Sequence, residues 1–115
     1  GAHICALIQA GRGRYNWCYF APEAGIVRPA AADHAAGKLD ALMDDLAAYN
    51  DPVWLVGEIS TEIRGAVSGI EGVVAFGAIA GLRRAGSLAA AANALFAAGV
   101  EDTLLDLQPL YLRAP

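Results

Sequence analysis

A chain of 115 residues has room for one domain with a buried core. Its net charge of −4 excludes a protein whose whole surface grips a nucleic-acid backbone, although local basic spots remain compatible with it. Hydrophobic residues make up 57% of the sequence and charged residues only 17%, so we expect more apolar surface than one small core hides, and hence a partner or a second half.

The two cysteines and the apolar runs indicate a protein of a reducing compartment without a membrane anchor. Cys5 and Cys18 are too few for a disulfide scaffold, so we expect free, buried thiols, and whether they meet across a hairpin is left open. No apolar run reaches the roughly 18 residues that a membrane span needs, and no secretory leader is predicted. Since the chain begins with Gly1 and Ala2, we expect it to belong to a longer protein.

The first thirty residues predict an antiparallel meander. Residues 3–9 form a nearly continuous apolar run, typical of a strand covered on both faces, and residues 14–20 alternate. The intervening GRGR, residues 11–14, is either a phosphate-binding loop or a hairpin turn. A phosphate loop leads into a helix, whereas here a second strand follows, which favours the hairpin. A short third strand is predicted over residues 26–28, ending at Pro29.

A helix is predicted from an N-cap at Asp33 to about Tyr49. Its apolar stripe comprises Ala35, Leu39, Leu42, Met43, Leu46 and Tyr49. Lys38, Asp40, Asp44 and Asp45 lie off the stripe, and we interpret the acidic group as a solvated face rather than a metal site.

The second half alternates strands and helices. VWLVG, residues 53–57, predicts a central strand buried on both faces. Ile59, Ile63 and Val67 recur at helical spacing, with Ser60 or Thr61 as cap. Residues 72–76 predict another strand, and residues 77–86 are ambiguous. Residues 87–98 predict a helix that stops at Gly99, with a buried face of Leu88, Ala92, Leu95 and Phe96.

The predicted fold class is therefore α/β, a single domain over residues 1–115. An antiparallel three-stranded meander followed by alternating helices and strands in a mixed sheet is the plan of a ribonuclease H-like lobe of the actin-like ATPase superfamily.

Few residues carry an enzymatic pattern. A two-metal nuclease of this fold needs carboxylates on its first and central strands, but the first ends in Gln9 and the second has none before Glu58. His3 and His34 have no partner at triad spacing and are interpreted as surface or cap residues. Glu58 follows a strand end, where open sheets bind ligands, and is a weak candidate for ligand contact.

Basic residues offer candidate contacts instead. Arg83 and Arg84 lie just before a predicted helix N-terminus, where the helix dipole disfavours cations. We therefore expect them to contact an acidic partner surface or RNA phosphate, or to be simply solvated. Arg12 and Arg14 at the hairpin are similar.

Four stretches make the chain resemble the C-terminal lobe of the bacterial TsaB (YeaZ) family. They are the hairpin ALIQAGRGRYNWCYF, the VWLVGE strand and turn, the helix start LRRAGSLAAAANALFAAG and the tail QPLYLR. The last two are the most specific. The family comprises actin-like accessory subunits for threonylcarbamoyladenosine formation in tRNA, labelled inactive glycoprotease homologues, and usually contains a further lobe with no counterpart here.

The resemblance implies a cytoplasmic, non-catalytic lobe of a two-lobe protein without a cofactor or metal of its own. It implies partnership with a TsaD-type ligase and a TsaE-type ATPase, and contact with tRNA only indirectly. Arg113 in the tail then joins Arg12, Arg14, Arg83 and Arg84 as a candidate partner or RNA contact. The alternatives are a nucleotide-binding ATPase or hydrolase of the same fold, and a homodimerising interaction module.

Overall fold

Two antiparallel strands open the chain, as the sequence predicts. In the computed structural model, which describes residues 1–23, 25, 27–77 and 85–100, β1 spans His3–Gln9 and β2 spans Arg14–Phe20. Gly11 and Gly13 take φ values of 111° and 67°, and the backbone N–H of Ala10 donates to the carbonyl of Arg14 at 2.9 Å. Residues other than glycine rarely adopt such positive φ values, so the two glycines allow this tight hairpin to form.

The third strand lies later than predicted. Val27 and Arg28 are not in a strand, and Ile26 lies outside the described residues. A 3-10 turn over Ala31–Asp33 leads instead into β3, His34–Lys38. Asp33 is therefore not the N-cap of a long helix: its Oδ2 accepts a hydrogen bond of 2.8 Å from the backbone N–H of Ala30.

Pairing with large aromatic residues explains why residues 34–38 are extended. Ala35 and Gly37 lie opposite Trp17 and Tyr15 of β2, where small residues leave room for the rings. A Cβ on Gly37 would lie 2.9 Å from the Cβ of Ala41 and 3.5 Å from the Trp17 ring. This tight fit between sheet and helix outweighs the modest helix propensity of HAAGK.

The remaining elements alternate as predicted, with adjusted bounds. They are α1 over Leu39–Ala48, β4 over Val53–Gly57, α2 over Thr61–Val67, β5 over Val73–Ala75 and α3 over Ala85–Ala97. Tyr49 follows the end of α1, and Ser60 caps α2 by accepting a hydrogen bond of 3.2 Å from the backbone N–H of Ile63. The described chain is thus a mixed α/β protein with three helices.

The five strands form one mixed sheet in the order β3-β2-β1-β4-β5. β2 is antiparallel to both β1 and β3, whereas β4 is parallel to β1 and to β5. The predicted mixed sheet is therefore confirmed. β1 is the middle strand and β4 lies between β1 and β5, so β4 is an interior strand but not the central one.

One face of the sheet packs against α1 and α2 to make the core. Its fully buried members are Cys5, Leu7, Leu42, Leu46, Val53, Leu55, Ile63 and Val67. The prediction that the first and fourth strands are covered on both faces is wrong for the described residues, because Ile4 and Ile8 of β1 and Trp54 of β4 are exposed on the other face. The predicted buried face of α3 is also exposed at Leu88 and Phe96.

Within the part of the chain that the structure describes, none of the helices has the length and apolar content needed to cross a membrane.

Candidate functional site

The carboxyl ends of the parallel strands meet at one edge of the sheet and form a cleft of about 310 Å³. Its lining residues are Gln9, Gly57, Glu58, Ile59, Ser60, Arg64 and Phe76. We call this the strand-end cleft. Ligands of open α/β sheets commonly bind at such an edge, so the position that the sequence assigns to Glu58 is confirmed, while its ligand role stays a prediction.

Gly57 allows the loop after β4 to approach the end of β1 at the base of the strand-end cleft. Its φ is 113°, and a Cβ at this position would collide with the carbonyl oxygen of Leu7. The next residue, Glu58, donates its backbone N–H to the same carbonyl at 2.9 Å. Only glycine permits this close approach of the loop after β4 to the end of β1.

The charged side chains of the cleft tie strands together. Oε2 of Glu58 accepts a hydrogen bond of 2.7 Å from the backbone N–H of Gln9, where β1 ends. Arg64 of α2 donates from Nη1 to the carbonyl of Ala75 at 3.1 Å and from Nη2 to the carbonyl of Phe76 at 2.8 Å. Both side chains therefore satisfy backbone groups beyond the last ladder bonds of β1 and β5.

The predicted hairpin arginines share this edge. Arg12 lies in the turn that follows β1 and is exposed, and Arg14 begins β2 opposite Lys38 at the end of β3. Since β2 runs antiparallel to β1, its first residue lies at the edge where β1 ends. The structure thus places Arg12 and Arg14 at the same sheet edge as Glu58 and Arg64, while Arg83, Arg84 and Arg113 lie outside the described residues.

A second polar cluster lies between β2 and α1. Oδ2 of Asp45 accepts hydrogen bonds from Nε1 of Trp17 at 2.6 Å and from the hydroxyl of Tyr19 at 2.9 Å. Tyr19 stacks on Tyr49, with ring centroids 4.0 Å apart. Asp45 is therefore not part of a solvated acidic face, as its sequence position suggests, but an acceptor for two aromatic donors.

Two groups at this cluster, the Tyr19 hydroxyl and the nearby Cys5 thiol, have a raised pKa. Burial, the hydrogen bond to Asp45 and nearby negative charges together raise the pKa of the Tyr19 hydroxyl well above its usual range. Burial, followed by the charges of Asp45 and Cys18, raises the pKa of Cys5 to about 12. A thiol that stays protonated at neutral pH is a poor nucleophile, so the cluster has a structural character.

The two cysteines are free and buried, as predicted. Cys5 lies opposite Tyr19 and Cys18 lies opposite Ala6, so the two residues are one register position apart. Since alternate side chains of a strand point to opposite faces, Cys5 joins the core and Cys18 lies on the other face. The question left open by the sequence is thereby answered: the two thiols are separated by the sheet.

The histidines occupy separate places. His3 lies 5.4 Å from Tyr49 between ring centroids, and its Nδ1 is 3.8 Å from a carboxylate oxygen of Asp51. His34 lies opposite Cys18 in β3. Across residues 1–23, 25, 27–77 and 85–100, no group of three or more His, Cys, Asp or Glu residues is arranged to hold a metal ion.

No protein-family model matches the chain, and a comparison with curated proteins gives no match.

Proposed function

We propose that the chain is a non-catalytic accessory lobe of a TsaB-like subunit, built on the ribonuclease H-like plan of the actin-like ATPase superfamily. The observation that carries the proposal is the strand order β3-β2-β1-β4-β5, with an antiparallel meander followed by two strands parallel to β1. A meander followed by alternating helices and strands in a mixed sheet is the plan that we expect for such a lobe.

The hydrogen bonds of the charged side chains favour a structural role for the lobe over a catalytic one. At the strand-end cleft, Glu58 accepts a hydrogen bond from the backbone N–H of Gln9. Arg64 donates hydrogen bonds to the backbone carbonyls of Ala75 and Phe76. Asp45 is likewise committed to Trp17 and Tyr19. Their hydrogen bonds stabilise the sheet edges and the packing of α1, which is what a rigid scaffold requires.

In this proposal the lobe stabilises the other half of its own subunit in the cytoplasm and shapes part of a complex with a TsaD-type ligase and a TsaE-type ATPase. The ligase transfers a threonylcarbamoyl group to the adenosine beside the tRNA anticodon. The hairpin cations Arg12 and Arg14 contact an acidic surface of a partner, or RNA phosphate, because they stand at an accessible sheet edge.

Association of the full-length protein with the TsaD-type ligase of the same organism tests the proposal. We expect binding at micromolar or lower concentration in isothermal titration. The double variant Arg12→Glu, Arg14→Glu should weaken it, whereas Arg12→Lys, Arg14→Lys, which keeps both charges, should weaken it less. Absence of association at micromolar concentration contradicts the proposal.

The strand-end cleft favours a second candidate function, nucleotide binding by an ATPase or hydrolase of the same fold. A cleft at the carboxyl ends of parallel strands, with the cations Arg12 and Arg14 at the same edge, is a reasonable place for a phosphate-bearing ligand. Titration of the full-length protein with ATP and magnesium distinguishes the two. Saturable binding that is lost in the Arg12→Glu, Arg14→Glu variant would favour the nucleotide function.

A homodimerising interaction module is the third candidate, because apolar side chains such as Ile8, Trp54 and Phe96 are exposed. Light scattering across a range of concentrations tests it directly, since a dimer doubles the mass.

A further inference from the structure

A buried ring nitrogen lies without a partner at the start of β1. Nδ1 of His3 is shielded from solvent, and within the part of the chain that the structure describes it makes no hydrogen bond. A carboxylate oxygen of Asp51, Oδ2, lies 3.8 Å from this nitrogen, slightly beyond hydrogen-bond distance. Because a buried polar atom that stays unpaired destabilises a fold, the separation of these two atoms requires an explanation.

The structure holds His3 in place but leaves Asp51 free to move. The backbone N–H of His3 donates to the carbonyl of Pro52 at 2.8 Å, so β1 begins beside the loop of residues 49–52. The imidazole meets the ring of Tyr49 at an angle of 66°, with centroids 5.4 Å apart. The side chain of Asp51, by contrast, is 59% exposed in the loop between α1 and β4. The carboxylate is therefore the group that can close the gap.

The protonation state of His3 decides whether the gap closes. A neutral imidazole carries a hydrogen on only one nitrogen, whereas a protonated imidazole carries hydrogens on both. Protonation therefore makes Nδ1 of His3 a donor, and a movement of about 1 Å brings the Asp51 carboxylate within hydrogen-bond distance. Such a bond joins opposite charges, so it is stronger than a bond between neutral groups.

The other titratable groups packed around His3 stay neutral where an imidazole ordinarily titrates, near pH 6.5. They are Cys5 of its own strand, Tyr19 of β2 and Tyr49 after α1, and burial is the first cause that raises the pKa of each. Behind these rings, Asp45 of α1 is committed to Trp17 and Tyr19. Val53, the partner of His3 in β4, is apolar.

We propose that His3 and Asp51 form a pH-dependent ion pair, which ties the loop between α1 and β4 to the start of β1 when His3 is protonated. The pair needs both charges, so it exists between about pH 4, above which a carboxylate is ionised, and about pH 6.5. The folded chain binds the proton of His3 through Asp51 and the unfolded chain does not, so this contribution to stability is lost as pH rises through neutrality.

The ion pair acts at the edge of the sheet remote from the strand-end cleft. His3 and Val53 begin the parallel strands β1 and β4, whereas Gln9 and Gly57 at their other ends line the cleft. Mild acid therefore strengthens the attachment of α1 and β4 to β1. The proposal does not rest on the accessory-lobe function, because it concerns two residues of this chain alone.

Thermal unfolding of the full chain at about pH 5.5 and about pH 7.5 tests the proposal. The quantity compared is the Tm at the lower pH minus the Tm at the higher pH, so that contributions common to all variants, such as the amino group of Gly1, cancel. We expect Asp51→Asn to reduce this difference by about 2–3 °C relative to the wild type. Asp44→Asn, which removes an exposed carboxylate of α1, leaves it within about 1 °C.

Variants of the two histidines identify the group that carries the proton. His3→Gln should reduce the Tm difference as far as Asp51→Asn does. The double variant His3→Gln, Asp51→Asn should reduce it no further, because both substitutions remove the same contact. In a His34→Gln background, which lacks the other histidine, Asp51→Asn should reduce it as much as in the wild type.

Three results overturn the proposal. An unchanged Tm difference in Asp51→Asn would mean that this carboxylate does not hold the proton of His3, and since Asp51 is exposed, this variant keeps the fold. Additive reductions in the double variant would mean that the two residues act on separate partners. Loss of the Asp51→Asn effect in the His34→Gln background would assign the proton to His34.

Discussion

Trp17 and Asp45 connect the sheet to its first helix through a hydrogen bond of 2.6 Å from the indole Nε1 to the carboxylate. The ring of Trp17 is buried and lies against Gly37, near the end of β3. Asp45 accepts a second bond from the hydroxyl of Tyr19, so one carboxylate serves two donors of the same strand. Deletion of this carboxylate tests how far the packing of α1 depends on it.

We expect Asp45→Ala to lower the free energy of unfolding by roughly 2–4 kcal/mol, because the indole N–H of Trp17 and the hydroxyl of Tyr19 lose their acceptor. Asp45→Asn keeps one oxygen and should cost less. Asp44→Ala removes the exposed neighbouring carboxylate and should change stability by less than about 0.5 kcal/mol. Urea denaturation measures all three. An Asp45→Ala variant as stable as Asp44→Ala would refute this assignment.

The sequence predicts most of the elements but not all of their contacts. The strands around GRGR, VWLVG and GVVAF lie where alternation and turn residues place them, because those signals are local. The sequence does not predict β3, because HAAGK has a weak preference for either state and its extended form depends on pairing with Tyr15 and Trp17. Such a long-range contact leaves no trace in hydrophobic periodicity.

A feature of β2 indicates the role of Asp45, although the helical pattern around Asp45 does not. Trp17 and Tyr19 alternate on one strand face and both carry a hydrogen-bond donor, so a core that buries them needs an acceptor. The helix pattern groups Asp45 with Asp40 and Asp44, because all three lie off the predicted apolar stripe. The strand-end cleft, by contrast, was predictable at Glu58 alone, since the parts played by Gln9 and Arg64 depend on strand order.

Stability should fall at alkaline pH because of Cys5. The pKa of this thiol rises from 9.0 to about 12 on folding, mainly through burial. Between these values the unfolded chain releases a proton that the folded chain keeps, so the free energy of unfolding decreases as pH rises, by up to about 1.4 kcal/mol per pH unit. Below pH 9 both states hold the proton and this contribution is constant.

Replacement of the thiol isolates this contribution. Cys5→Ala lacks the titrating group, so its free energy of unfolding should decline less steeply than that of the wild type between pH 9 and about 11. The pKa values of Cys18, Tyr19 and Tyr49 are also raised, and these groups still titrate in both proteins and supply the remaining slope. Parallel declines in urea denaturation across this range would show that Cys5 does not titrate as described.

The bond between Glu58 and Gln9 should stabilise the sheet edge measurably. Glu58→Ala leaves the terminal N–H of β1 without this acceptor, and we expect a loss of about 1 kcal/mol. Glu58→Gln retains an oxygen at the same position and should lose less. Glu71→Ala, at an exposed turn, provides the control for removing one negative charge. If Glu58→Ala and Glu71→Ala have the same unfolding midpoint in urea, the bond contributes nothing.

Two glycines of neighbouring elements should respond to alanine in opposite directions. Gly57→Ala places a methyl group against the carbonyl oxygen of Leu7 at a φ of 113°, so we expect a loss of more than about 3 kcal/mol. Gly65→Ala lies within α2, exposed and with open space around its Cβ, and should gain about 0.5–1 kcal/mol through helix propensity. Thermal unfolding of both variants measures the contrast. Because the substitution is the same, a similar effect at both sites would mean that the loop after β4 does not approach β1 as closely as the structure shows.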